Sequence, residues 1–394
     1  MHHGHSNVRD NQFDKELANN HTLGTVLKQA GYATAAIGKW GLAGEGMLAH
    51  PQNRGFDYFF GYMNHGAAHF HYPKEQGRVF YENSTDVAAS LDKCYSTDLI
   101  TGRSKKWISD QRNANPNQPF FLYLCFTAPH AQLNVPTGPY PAGGGLTGGI
   151  QWTGVPGEMI NTASGTIDSW IHPDYAAATY DHDNNPGTAE VVWPASAKRH
   201  ATMVRRVDDA MGDLLQLLVD LGIDDRTLVV FSSDNGPHNE AGANGSYTQD
   251  PRFFRSYGPL DGIKRDVWEG GIRMPTLVRW PGAVPAGRVS ARPSQFHDWM
   301  NTFADLAGVP APLRSDGVSL VPDLTGAGTQ RPGVVYVEYT GEGTTSTPNY
   351  ADFQPSHITT RGHMQALFLN GYKGVRYNTT SATTAFRVYD VAGD

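Results

Sequence analysis

The chain has 394 residues, with 31 basic against 38 acidic side chains and a formal net charge of −7. At roughly 150 residues per domain this is two or three units, and a hydrophobic content of 39% excludes general disorder. The acidic balance argues against nucleic acid or an anionic membrane as partner, and two cysteines, Cys94 and Cys125, cannot build a disulfide framework or a cysteine-rich zinc site.

In chain order, Leu23, Val26, Leu27 and Ala30 fall at helical spacing within 22–30, with Gly31 as the stop. Residues 32–37 read as a short buried strand. Ser96 is placed to cap a helix running towards Trp107 and Ile108. Residues 120–126, Phe-Phe-Leu-Tyr-Leu-Cys-Phe, form an uninterrupted apolar run that suits a strand covered on both faces, as in a parallel sheet. The clearest helix is 195–221, with Met203, Val204, Val207, Met211, Leu214, Leu215, Leu218 and Leu221 as its apolar stripe and Gly222 as its end. A strand at 228–231 and a helix at 294–306 follow, the latter with Phe296, Trp299, Met300 and Phe303 on one side. This alternation predicts an α/β sheet flanked by helices. From 333 onward, short aromatic and β-branched runs at 334–339, 365–369, 372–377 and 386–389 predict a small antiparallel sheet. The stretch 136–180, rich in Gly, Pro and Thr, reads as a surface insertion. The expected organisation is therefore an α/β domain over 1–332 interrupted at about 136–180, and a C-terminal subdomain over 333–394. No apolar run reaches the roughly eighteen residues of a membrane helix, and Met1-His-His-Gly-His5 carries no signal-peptide pattern.

Polar residues collect just after the strands, where open α/β sheets hold ligands. These are Gly38-Lys39-Trp40-Gly41, Thr127-Ala-Pro-His130, and Ser232-Ser-Asp234-Asn235-Gly-Pro-His238. Further on, Leu260-Asp-Gly-Ile-Lys264 leads into Glu269-Gly-Gly-Ile-Arg-Met-Pro275. A carboxylate beside an amide oxygen, as in Asp234-Asn235, offers hard ligands for Ca²⁺ or Mg²⁺, and Asp-Asn-Gly-Pro is equally a good turn. Two lysines and a histidine could neutralise an oxyanion there. Taken singly, Lys39 also fits a solvated surface charge and His130 a loop histidine bonded to backbone.

This ordered set resembles the sulfatase family. Residues 31–40, Gly-Tyr-Ala-Thr-Ala-Ala-Ile-Gly-Lys-Trp, are similar to its second signature, and 55–61, 127–130, 233–237 and 264–275 follow in the family's order. The resemblance is to bacterial arylsulfatase-type enzymes. It implies an alkaline-phosphatase-like mixed sheet flanked by helices, with a small C-terminal antiparallel subdomain, and hydrolysis of a sulfate ester to alcohol and sulfate. Residue by residue, it implies Asp234 and Asn235 as metal ligands, usually for Ca²⁺, and Lys39, His130 and Lys264 as sulfate contacts. His130 or Lys264 would then protonate the leaving oxygen. The implied nucleophile is a hydrated formylglycine made from Cys or Ser. The implied substrate is a small-molecule or carbohydrate sulfate ester, and the implied compartment is periplasmic or extracellular, with the cytoplasm left open.

The chain departs from the family pattern in several places. The family usually has His where Gly41 stands, and His69 or His71 is placed to compensate; surface histidines in an aromatic loop are the alternative. His238 is a second candidate substrate contact. The nucleophile motif Cys/Ser-x-Pro/Ala-x-Arg is absent, neither Cys94 nor Cys125 fits it, and the paired aspartates of the first central strand are missing. Because His3 to Arg9 resembles the segment downstream of that motif, the expectation is an N-terminally truncated, inactive and marginally stable chain. Trp152, Trp170 and Trp193 are placed either to stack on sugar or aryl rings or to pack the insertion onto the body. Competing readings are a phosphodiesterase or phosphonate hydrolase of the same superfamily, and a non-catalytic anion-binding protein.

Overall fold

The computed structural model describes residues 17–18, 21–44, 46–240, 247–340, 350–354 and 362–391; His3 to Arg9 lie outside them. The chain forms two compact units, one from 5–227 with 240–249 and one from 228–239 with 250 onward. The first unit ends at Thr227, and the strand that follows pairs with a later strand of the second unit.

In the first unit α1 (Leu23–Gln29) begins at Thr22. The Thr25 amide donates to Thr22 Oγ1 at 3.1 Å and the Thr22 amide to Thr25 Oγ1 at 2.8 Å, a reciprocal cap. β1 (Ala33–Lys39), β2 (Tyr58–Tyr62), β3 (Tyr81–Glu82), β4 (Thr85–Asp86) and β5 (Phe120–Cys125) build one mixed sheet in the order β4-β3-β2-β1-β5. β1 is central and parallel to both neighbours, and its residues from Ala33 to Gly38 are buried. The apolar run expected to be covered on both faces is instead an edge strand. β5 has β1 on one side and no further strand among the described residues on the other, and every one of its residues is partly exposed.

α2 (Ser96–Ala114) packs against α4 (Ala195–Asp220). Ser96 is its first helical residue and the cap position is Tyr95; the Ser96 hydroxyl is spent elsewhere, as described below. α4 buries Met203, Val207, Leu214 and Leu218 as its spacing predicts, with Val204 exposed. The same stripe also buries Arg206 and Asp213. Arg206 donates to both oxygens of Asp98 at 2.7 and 2.6 Å, and Lys105 donates to Asp213 at 2.6 Å. The excursion at 136–180 hangs on these pairs: Thr162 bonds Asp98 at 2.7 Å, and Tyr140 and the Ile150 amide bond Asp213 at 2.8 Å. It carries the hairpin β6 (Trp152–Val155) and β7 (Glu158–Ile160), then α3 (Pro173–Ala176) and β8 (Thr179–Tyr180), which pairs with β9 (Val191–Val192). Its tryptophans pack within the unit. Trp152 meets Phe60 edge-on at 5.4 Å, and Trp193 stacks on Tyr175 at 5.9 Å.

In the second unit β10 (Val229–Ser232) pairs antiparallel with β11 (Thr276–Arg279), and the short α5 (Glu269–Ile272) lies between them in sequence. α6 (Phe296–Leu306) buries Trp299 with Val318 and Leu320, while Phe296 is exposed; α7 (Val321–Thr325) follows. β12 (Val335–Thr340), β13 (His363–Leu369), β14 (Tyr372–Arg376) and β15 (Arg387–Asp390) form the antiparallel C-terminal sheet, in sequence order. Met364, Ala366 and Val375 of that sheet close on Val267 and Trp268. No helix among the described residues is long and apolar enough to cross a membrane.

Candidate active site

The sequence-predicted site residues fall into two groups, one in each unit. In the first unit, Lys39 ends β1. Gly38, just before it, sits where three strands approach closely: a Cβ at 38 would stand 1.9 Å from the Cys125 carbonyl oxygen. This backbone contact fixes the height at which Lys39 leaves the sheet.

His130 follows β5 through a loop supported from below. His71 is wholly buried, with Nδ1 3.1 Å from Ser96 Oγ and 3.3 Å from Thr127 Oγ1, and Ser96 and Thr127 meet at 2.9 Å. This is where the Ser96 hydroxyl goes. Burial drives the His71 pKa down to about 4; backbone bonds of His130 and Gln132 and the charge of Asp168 oppose the shift, and Lys39 adds to it. His71 is thus a buried support for the loop. The Gln132 amide donates to the His69 carbonyl at 3.0 Å, tying the His130 loop to the turn after β2. His69 lies flat on His130, with centroids 4.4 Å apart and planes at 11°.

His130 Nδ1 is 2.7 Å from the Ala131 carbonyl oxygen, which only accepts, so Nδ1 carries the proton. Nε2 is then the position that gains or gives a proton, and it lies 3.6 Å from Glu240 Oε2.

In the second unit, Asp234 and Asn235 sit on the turn after β10. Ser233 Oγ donates to the Asn235 carbonyl at 3.1 Å, the Asn235 amide group donates to the Gly236 carbonyl at 2.8 Å, and the Gly236 amide donates to Gly271 at 2.9 Å. The Lys264 amide donates to the Pro237 carbonyl at 2.7 Å, which brings Lys264 beside His238. The His238 pKa falls to about 4, first through burial and then through the positive charge of Lys264, with Asp234 opposing and Arg265 adding to it. Glu269 serves structure: Lys373, buried on β14, donates to it at 2.7 Å and lies over the Trp268 ring.

Asp234 and Asn235 offer two oxygen donors, fewer than the six to eight of a calcium site. Among the described residues no three His, Cys, Asp or Glu side chains converge as a metal cluster. Among the described residues the donor set is thus partial. The cysteines do not fit a formylglycine precursor. The Cys94 thiol is buried and pushed up to about 12, chiefly by desolvation, and Cys125 lies within β5.

One residue near Lys39 belongs to no motif. A Cβ at Gly41 would lie 3.3 Å from the His65 Cβ, and the His65 ring meets His69 at 5.9 Å.

The sulfatase family profile matches residues 1–309, well over half of the chain. This chain belongs to the sulfatase family. A second profile, N-sulphoglucosamine sulphohydrolase C-terminal, matches 257–392 and includes the antiparallel sheet. The chain is 28% identical over 317 residues to the N-acetylgalactosamine-6-sulfatase of Canis lupus familiaris, covering 78% of this chain and 49% of the relative. It is 27% identical over 341 residues to the arylsulfatase of Klebsiella aerogenes, covering 73% and 68%. The chain spans about half the length of the mammalian relative. Among solved structures, Ps i-CgsB in complex with k-i-k-neocarrahexaose aligns with a TM-score of 0.62 at 23% identity, covering all of this chain and 71% of that one. BT4656 with its substrate D-glucosamine-2-N,6-O-disulfate aligns at 0.61 and 20%, covering 98% and 78%. At these identities the likeness shows the shared α/β fold.

Proposed function

We propose that this chain is the body of a sulfuric ester hydrolase acting on sulfate esters of carbohydrates or small molecules. The observation that carries the reading is the arrangement after β1 and β5: a lysine held by a glycine-tight sheet, and a histidine whose proton-exchanging Nε2 is backed by a carboxylate. Lys39 and Lys264 are assigned to the sulfate oxygens, where an ammonium group offsets the charge that grows in the transition state. His130 is assigned to the leaving alcohol oxygen. With a proton on Nε2 it donates as the S–O bond breaks, and Glu240 steadies the charged ring beforehand. His69 orients the His130 ring through its face, and His69 and His238 are assigned to substrate contact. Asp234 and Asn235 are proposed as two ligands of a divalent cation, Ca²⁺ or Mg²⁺, whose chemistry when bound would be that of a Lewis acid towards the ester. The proposed compartment, by family likeness, is the periplasm or the cell exterior.

The sequence holds no Cys/Ser-x-Pro/Ala-x-Arg motif. We therefore expect the purified chain to bind but not hydrolyse. Melting curves with a sulfated disaccharide, its desulfated form, and phenylphosphonate test this, alongside an aryl sulfate assay. The expected result is a rise in Tm with the sulfated sugar alone and no turnover above buffer. Stabilisation by the phosphonate alone would favour the phosphonate hydrolase reading; one solved phosphonate monoester hydrolase shares the fold at a TM-score of 0.50 and 17% identity. Equal stabilisation by sulfated and desulfated sugars would overturn the sulfate reading, and robust turnover would overturn the expected inactivity.

A further inference from the structure

The turn after β2 lays a second imidazole against His130. The Gln132 amide, donating to the His69 carbonyl at 3.0 Å, holds the two segments together, and the rings stack with centroids 4.4 Å apart and planes at 11°. Such a stack is attractive when one ring is charged and the other neutral, because the neutral π face accepts a neighbouring cation. It is repulsive when both rings carry an extra proton. Both side chains are half-buried. At this spacing two like charges separate their titrations by about one pH unit or more, so the stack takes up its two protons in two steps.

The charges around the stack decide which ring is charged first. His130 Nδ1 faces the Ala131 carbonyl and Nε2 lies 3.6 Å from Glu240, so a charged His130 meets an acceptor at each nitrogen. His69 meets His65 edge to face at 5.9 Å, and the Lys39 stem and His65 both border position 41. The carboxylate contact is therefore made to His130, while the lysine stem passes on the His65 side. Of the other charges acting on this loop, Asp168 is paired with Arg199, and His71 beneath it is buried.

We propose that His69 is a positioning residue for His130: it backs the charged ring as a neutral face, so that the pair holds one extra proton and His130 carries it. This rests on the reading of His130 as the group that protonates the leaving oxygen. It adds the residue that keeps the charge on that ring.

The test is a pH titration of the chain, labelled with ¹⁵N in its histidine rings and followed by NMR. The two rings are assigned from His69→Phe and His130→Phe, which keep a flat ring in the stack. As the pH falls, His130 should take up its proton first, and His69 at least about one pH unit lower. In His130→Phe the His69 midpoint should rise by about one pH unit, since the charge beside it is gone. In His69→Phe the His130 midpoint should move by less than about 0.5 pH units, a one-sided response that a merely structural contact does not give. Glu240→Gln should lower the His130 midpoint, and His130→Gln repeats the His69 measurement should the phenylalanine variant fail to fold. Midpoints that neither ring substitution moves, or a His69 that is charged before His130, would overturn the proposal and leave the role of His130 standing. Failure of the sulfate reading itself would show instead in the melting curves with sulfated and desulfated sugar, which do not depend on the order of protonation.

Discussion

β1 and β5 lie side by side in parallel register from Ala33–Phe120 to Gly38–Cys125, and their compositions run against their surroundings. β1 is Ala-Thr-Ala-Ala-Ile-Gly-Lys, small and only modestly apolar, yet it is buried almost throughout. β5 is Phe-Phe-Leu-Tyr-Leu-Cys, far more hydrophobic, yet it is only part-buried along its length, with Tyr123 at 38% exposure. Burial here follows from place in the sheet. A central strand between two partners needs small residues so that its neighbours can close in, whereas an edge strand has room for larger rings that are covered only in part. Each strand delivers one candidate site residue from its C-terminal end, Lys39 from the enclosed strand and His130 from the open one. The first is fixed by backbone contact, and the second by side chains placed under its loop.

The strongest way to sharpen this contrast is Gly38→Val. The new side chain would begin 1.9 Å from the Cys125 carbonyl, in a backbone with φ +113°. We expect loss of the cooperative near-UV circular dichroism transition, a cost of about 4 kcal/mol or more. Opposite it on β5, Cys125→Val should cost less than about 1.5 kcal/mol. Equal losses at the two positions would break the contrast.

The support beneath the His130 loop predicts a pH dependence. Burial holds the His71 pKa at about 4 in the folded chain, below the ordinary 6.5. Between those values the unfolded chain binds the extra proton, so the stability due to neutral His71 is complete above about pH 6.5 and is lost as pH falls towards 4. The loss amounts to about 3 kcal/mol. Urea titrations at pH 7, 5.5 and 4.5 should show this decline in the wild type and a flatter one in His71→Gln; parallel curves would refute the assignment.

The smallest effect concerns the open edge. Tyr123→Lys should change stability by less than about 1 kcal/mol while reducing concentration-dependent self-association, read by light scattering across a dilution series. An unchanged dilution series would show that β5 does not promote association.

These particulars also show what could be read from the sequence. Helical spacing and glycine stops locate α1 and α4, and the motifs fall after strands because local chemistry marks them. The exposure of β5 depends on which strands stand beside it, and its own residues carry no sign of that. The spacing of α4 does not mark Arg206 and Asp213 as buried, and only the approach of α2 shows that they are paired inside. Ser96 has the chemistry of a cap but serves His71, a partner twenty-five residues away.

The pair between Glu269 and Lys373 bears on the construction of chimaeras. The glutamate belongs to the segment that also carries Gly270 and Gly271, while the lysine is buried on the C-terminal sheet 104 positions later. A C-terminal sheet transplanted from another member of the family would have to bring its own cation to that spot, or Glu269 would lose its counter-charge. Compatibility of exchangeable parts in this protein would then turn on a single buried lysine more than on the overall match of the two sheets.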